Sequence, residues 1–301
     1  MKQSPTVSNL FSLDWALAGK NVIELTKMRL SISVVFSSIA GYILGASVID
    51  FSVLAWLAVG GYCMVGASNV FNQIIEKDLD ALMKRTMLRP IPSGKVSVNA
   101  AFWMGCLLTL AGLTILYNIN PKTAMFGAVS IFLYTSAYTP LKTKTPLAVL
   151  VGAIPGAIPF MLGWVAATND FDIEPGMLFL IQFFWQFPHF WAIGWFLEED
   201  YKRAGFKMLP TGKPDNATAA QIIFYAFWTV LVSILPAFGI TGQLSLSLTA
   251  AILVGLIGLI MIYFAVQLFI LKSSSAARSL MLVSVLYITL LQIIYVADKL
   301  L

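Results

Sequence analysis

Long apolar runs separated by short polar breaks dominate the chain, at a length that suits membrane spans rather than soluble helices. A span needs about 20 mostly apolar residues. Nine stretches meet that length: 30–49, 52–72, 98–117, 122–139, 147–166, 176–197, 218–239, 245–270 and 279–297. The expected fold is all-α, a polytopic membrane protein of about nine transmembrane helices, because a helix satisfies its own backbone in lipid. Two polar stretches between spans are long, 76–97 and 198–217, and both open on acidic residues. Long loops in compact proteins are usually functional. Residues 1–29 read as a cytoplasmic N-terminal segment, and within it 10–30 alternates apolar and charged residues, as an interfacial helix does. With no linker and no low-complexity tract, residues 1–301 read as one membrane-embedded domain.

Composition agrees with that pattern. The chain is 59% hydrophobic and 11% charged, whereas soluble domains carry about 25% charged residues. The net charge of +5 follows topology and gives no sign of a nucleic-acid partner. With the N-terminus inside, every Lys and Arg except Lys122 and Lys299 falls on one side, while Asp170, Asp172 and Glu174 lie opposite. This positive-inside asymmetry puts both long loops in the cytoplasm. No signal or transit peptide is visible, and the expected location is a bacterial inner membrane with the active site facing the cytoplasm. Cys63 and Cys106 lack metal-ligand spacing and read as small apolar fillers.

The candidate chemistry sits at the two acidic clusters. Glu76, Asp78 and Asp80 in one, with Glu198, Glu199 and Asp200 in the other, hold six of the fourteen acidic residues. Carboxylates at a membrane mouth are costly unless they hold a cation or pair with bases. Oxygen ligands for Mg²⁺ beside Lys and Arg for phosphates are what a lipid diphosphate requires. Asn72, Glu76 and Asp80 are four apart, so they turn only about 40° per step and share one helix face, with Asn72 about 12 Å deeper than Asp80. Asp78 falls on the other side if the helix stays regular. His189, the only histidine, lies about 16 Å deeper than Asp200 among Trp185, Phe187, Phe190, Trp191 and Trp195. A buried intramembrane histidine is costly without a purpose, and its competing reading is a local structural bond. Pro and Gly recur within later spans, at Gly152, Pro155, Gly156, Pro159, Gly163 and Pro188. They fit either close helix packing or a cavity wall.

These segments resemble the UbiA superfamily of membrane prenyltransferases, and within it the protohaem IX farnesyltransferases. The family's Asn-x3-Asp-x3-Asp pattern maps onto Asn72, Glu76 and Asp80, with Glu in place of the first Asp. The stretch Met83 to Gly94 with Arg85, Thr86, Arg89 and Pro90 looks like that branch. So do Trp185 to Phe190 running on to Glu199, Asp200 and Tyr201, and Tyr138 to Lys142. In Thr26-Lys27-Met28-Arg29, Met stands where many relatives have Pro, leaving Lys27 and Arg29 as matching positions. The resemblance spans roughly 20–298, and its most specific part is the His189 segment, where other branches tend to carry Asp.

The resemblance implies a helical bundle around a central cavity, open to the cytoplasm and laterally to lipid. It implies transfer of the farnesyl group of farnesyl diphosphate to a vinyl group of haem b, giving haem O. Magnesium would sit on Asn72, Glu76, Asp80 and Asp200, with Glu199 beside them. Lys84, Arg85, Arg89, Lys202 and Lys207 form the pool for phosphate contacts. His189 is then a haem contact or a substrate hydrogen bond. The implied partners are the two substrates, membrane lipid and a downstream haem-modifying enzyme. The alternatives are a prenyltransferase for an aromatic quinone precursor, which predicts a small polar pocket, and a transporter. A transporter would place its charge near the midplane rather than at one mouth.

Overall fold

The computed structural model describes residues 15–301, and the first fourteen residues of the N-terminal segment lie outside it. Every regular element among the described residues is helical. The helix α1 (Trp15–Leu25) precedes α2 (Met28–Gly45) and α3 (Phe51–Ile75), followed by the short α4 (Lys77–Asp80). Next come α5 (Val98–Ile119), α6 (Pro121–Phe132), a π-helical stretch Leu133–Tyr138 and α7 (Thr139–Leu141). Then follow α8 (Ala148–Thr168), α9 (Ile173–Phe196), the short α10 (Glu198–Arg203), α11 (Asn216–Ile234), α12 (Leu248–Leu271) and α13 (Ser274–Leu300).

Eight of these segments are long and apolar enough to cross a membrane. The 24-residue α9 is the ninth span of the sequence reading, its hydropathy diluted by Gln182, Gln186, Pro188 and His189. This is an integral membrane protein. Side-chain caps explain the sharp starts. Asp50, Ser97, Asn120, Asp215, Ser247 and Ser273 each accept from an amide in the first turn of α3, α5, α6, α11, α12 and α13. They satisfy donors that have no partner within the helix.

Close packing at the centre depends on glycine. A Cβ on Gly163 of α8 would lie 1.9 Å from the Ser38 carbonyl oxygen of α2, and one on Gly41 of α2 would lie 2.0 Å from that of Phe160. Gly152 abuts Tyr138, and Gly156 abuts Gln186. Gly41, Gly152, Gly156 and Gly163 therefore serve helix contact rather than a cavity wall. Pro159 cannot donate to the carbonyl of Pro155, and the Ser130 hydroxyl of α6 does so instead at 3.3 Å. One small pocket of about 30 Å³ lies among α2, α3, α6 and α8 and is lined by Val35, Ser38, Gly61, Gly127 and Leu162.

Candidate active site

The α3 ladder survives the change of direction at Glu76. Glu76 N–H donates to Asn72 O at 2.9 Å and Asp80 N–H to Glu76 O at 2.7 Å, although Glu76 itself leaves helical geometry at φ −94°, ψ 9°. Asn72, Glu76 and Asp80 are consequently all buried on one face, while Asp78 is exposed. Each carboxylate meets a base. Lys142 Nζ is 2.7 Å from Glu76 Oε1, and Arg89 Nη1 donates to Asp80 Oδ2 at 2.7 Å. Asn72 Nδ2 donates to Thr139 Oγ1 at 3.2 Å. Thr86 Oγ1 donates to Asp80 O at 2.8 Å, folding the 80–89 segment back over the carboxylate. Asp80 Oδ1 is buried with no hydrogen-bond partner.

Opposite α3, the π-helical stretch shapes a second wall. Pro140 lacks the amide that a regular turn would use there, and π-helical turns recur at functional sites. The stretch directs Tyr134 and Tyr138 toward the electrostatic range of Glu76. It also places Lys142 Nζ 4.5 Å from the centre of the Tyr138 ring. Lys142 and Tyr138 enter the sequence reading only through the resemblance, and Tyr134 does not enter it.

Lys27 is a further cation at this site. Burial, reinforced by the charges of Arg89 and Lys142, lowers its ammonium to about 7 against the pull of Glu76 and Asp80.

The second acidic cluster joins the first through backbone rather than through a shared set of carboxylates. Asp200 pairs with Arg203, and the Arg85 and Lys84 amides add to the electrostatics of its carboxylate. Partial burial would raise its carboxyl, but the Arg203 hydrogen bond and charge and those two amides outweigh this and hold it below the usual carboxylate range. Tyr201 comes with it into the field of Arg85, Lys142, Glu76 and Arg89, its phenol raised chiefly by burial. Lys207 N–H donates to Lys142 O at 2.7 Å, docking the 198–217 loop over the mouth.

Among the described residues no three His, Cys, Asp or Glu side chains converge as a metal-holding group. Glu199 is exposed, as are Lys84, Arg85, Lys202 and Lys207. Lys207 Nζ rests on Lys144 O at 3.3 Å. Of the five predicted phosphate contacts, the structure draws Arg89 alone into a buried ion pair.

His189 lies on the α9 face toward α13. Its Nδ1 is 2.9 Å from Ser284 Oγ, and its ring stacks on Trp185 at 4.8 Å and 18°. Trp185 Nε1 donates to Ser284 O at 2.6 Å.

The pattern of the UbiA prenyltransferase family matches residues 34–291. The chain is 66% identical over 276 residues to a protoheme IX farnesyltransferase of Christiangramia forsetii, covering 92% of each chain. It is 66% identical over 279 residues to the enzyme of that name from Flavobacterium psychrophilum, covering 92% of this chain and 93% of the relative. Among solved structures, a digeranylgeranylglyceryl phosphate synthase superposes with a TM-score of 0.77 at 18% identity, covering 93% of this chain and 98% of the other. A UbiA homolog from Archaeoglobus fulgidus bound to GPP and Mg²⁺ superposes with a TM-score of 0.63 at 13% identity, covering 92% and 99%. Eight candidate membrane helices among the described residues, a buried carboxylate row facing bases at one mouth and this identity agree: the chain belongs to the UbiA prenyltransferase family, in its protoheme IX farnesyltransferase branch.

Proposed function

We propose that the chain transfers the farnesyl group of farnesyl diphosphate to a vinyl group of haem b, releasing diphosphate and giving haem O. The observation that carries the reading is 66% identity across nine-tenths of the chain to enzymes of that name. The geometry supports the leaving-group half of the chemistry. Arg89, Lys142 and Lys27 supply positive charge beside Glu76 and Asp80, and on binding they turn from carboxylate to phosphate oxygens. Positive charge placed in advance where negative charge develops lowers the barrier to C–O cleavage.

Mg²⁺ fits the oxygens present. The unpartnered Asp80 Oδ1 and an Asn72 carboxamide whose nitrogen is already engaged with Thr139 leave hard oxygen donors free. Asn72 and Asp80 would hold the ion, and Glu76 and Asp200 would join them on leaving Lys142 and Arg203. When bound, Mg²⁺ neutralises charge on the diphosphate. The C1–O bond of the farnesyl group breaks and its electron pair leaves with diphosphate. The vinyl π pair then bonds to the allylic carbon, and water captures the resulting cation with loss of a proton. Aromatic and aliphatic walls around this mouth keep water from the first cation. The location that fits the charge asymmetry and the bacterial relatives is an inner membrane, with the mouth in the cytoplasm. A downstream haem-modifying enzyme that takes up haem O remains part of this proposal. Purified protein given farnesyl diphosphate, Mg²⁺ and haem b should yield farnesylated haem by mass. Prenylation of an aromatic acid with no haem product would overturn the acceptor.

A further inference from the structure

Lys27 sits at φ 46°, ψ 56°, one of three non-glycine residues with positive φ among those described. A lysine rarely adopts this left-handed conformation, and it persists where the surroundings over-determine it. Here α3 does so. Gln73 Nε2 donates to Leu25 O at 2.8 Å, and Asn69 Nδ2 donates to Thr26 O at 3.3 Å. The Tyr62 and Thr26 hydroxyls lie 2.9 Å apart, and Ser31 donates to Thr26 O at 2.7 Å from α2. Leu25, Thr26, Asn69 and Gln73 are all buried. Carbonyls at the end of a helix lack intrahelical partners, so the two carboxamides receive the end of α1 and fix the turn after it. Asn69 and Gln73 flank Asn72 on α3. The helix that carries the carboxylate row thus also holds the lysine turn.

We propose that Asn69 and Gln73 are positioning residues, holding the Thr26–Lys27 turn in register with Asn72, Glu76 and Asp80 so that the Lys27 ammonium meets the substrate diphosphate. This rests on the farnesyl-diphosphate reading above. The competing role is plain helix-to-helix bonding with no bearing on Lys27.

A double-mutant cycle separates the two. Asn69→Leu and Gln73→Met remove the donated N–H groups at nearly constant volume. Each should lower kcat/KM for farnesyl diphosphate about tenfold while leaving the KM for haem b unchanged. In a Lys27→Met background neither should lower it further, because the effect passes through Lys27. Ser31→Ala loosens the same turn from α2, removing its bond to Thr26 O and its 3.5 Å contact with Asn69 Nδ2 while leaving the α3 residues in place, and should give a smaller loss of the same kind, which keeps the test open where an α3 variant fails to fold. Additive losses in the Lys27→Met background, undiminished kcat/KM in the folded variants, or an inert Lys27→Met each overturn the proposal. If the wild type forms no farnesylated haem, the functional reading fails. Calorimetric binding of inorganic diphosphate with Mg²⁺ to the same variants then decides the positioning role separately.

Discussion

Lys142 places its ammonium 2.7 Å from Glu76 Oε1, with only 10% and 5% of the two side chains exposed. Removing one partner of such a buried pair strands the other's charge, at a cost of about 3–5 kcal/mol. Lys142→Met should therefore lower stability by about that much, read as unfolding in detergent. Adding Glu76→Gln should recover most of the loss, yet turnover should stay abolished because neither charge remains to meet the substrate. A Lys142→Met protein as stable as wild type would show that the pair is solvated rather than buried.

Asp80 combines an Arg89 ion pair with an unpartnered buried oxygen. Asp200 ties the second loop to the backbone after Asp80. Asp80→Ala and Asp200→Ala should each reduce turnover at least about 100-fold, the scale of losing one preorganised charge-stabilising group. Both should still insert and fold. Near-normal turnover of both variants in Mg²⁺ would contradict a metal-held diphosphate at this mouth.

The spans and the carboxylate row were legible from the sequence because both are local periodicities. Apolar runs have membrane length, and 72, 76 and 80 recur once per turn. Arg89, which meets Asp80 from the same loop, was singled out in the sequence, but the bases that come from elsewhere in the chain were not. Lys142 comes from another span and Lys27 from the turn before α2, and spacing carries no information across such separations. Lys84, Arg85, Lys202 and Lys207 lie exposed on the two loops that flank the mouth. A loop's charge is visible in sequence, but its direction depends on what the loop docks against. The glycines were ambiguous for a related reason, since Gly163 declares its role only against the Ser38 carbonyl of α2. Pro140 was the single local hint of the π-helical stretch that aims Tyr138 and Lys142.

Lys27 should make diphosphate binding pH-dependent. Burial first, then Arg89 and Lys142, lower its ammonium from 10.5 to about 7, while Glu76 and Asp80 oppose the shift. Between those values the unfolded chain binds more protons than the folded one. Stability from this group therefore rises with pH across that window and is least below about 7. A bound diphosphate prefers the charged form, so above about 7 binding must take up a proton, and affinity should fall by up to about tenfold per pH unit. Calorimetry in buffers of different ionisation enthalpy should show that uptake, and Lys27→Arg should abolish it. Identical profiles for wild type and Lys27→Arg would assign the pH dependence to the diphosphate itself.

The asymmetry of Lys and Arg predicts the orientation of the mouth. Tags within 84–95 and 203–216 should react with impermeant reagents only from the cytoplasmic side, and a tag near 168–173 only from the other. Labelling of 84–95 from outside would invert the topology and move the diphosphate chemistry to the opposite face.

His189 is where the haem reading departs most from a generic prenyl transfer. Ser284 donates its one hydroxyl proton to Met281 O at 2.7 Å, so toward His189 its oxygen accepts, and Nδ1 carries the imidazole proton. That tautomer leaves the Nε2 lone pair free to accept a hydrogen bond or to ligate iron. Trp185, stacked on the ring and bonded to the same serine, fixes its plane. His189→Ala should therefore lose haem b affinity, read by absorbance titration, while farnesyl diphosphate binding to the same purified protein is unchanged. Ser284→Ala removes the tautomer's support and keeps the imidazole, so it should weaken haem binding less. If the ring instead satisfies only Ser284, His189→Ala should cost about 1–3 kcal/mol of stability and leave both haem affinity and turnover per folded molecule intact. That result would make His189 a structural residue and leave the acceptor resting on identity to relatives alone.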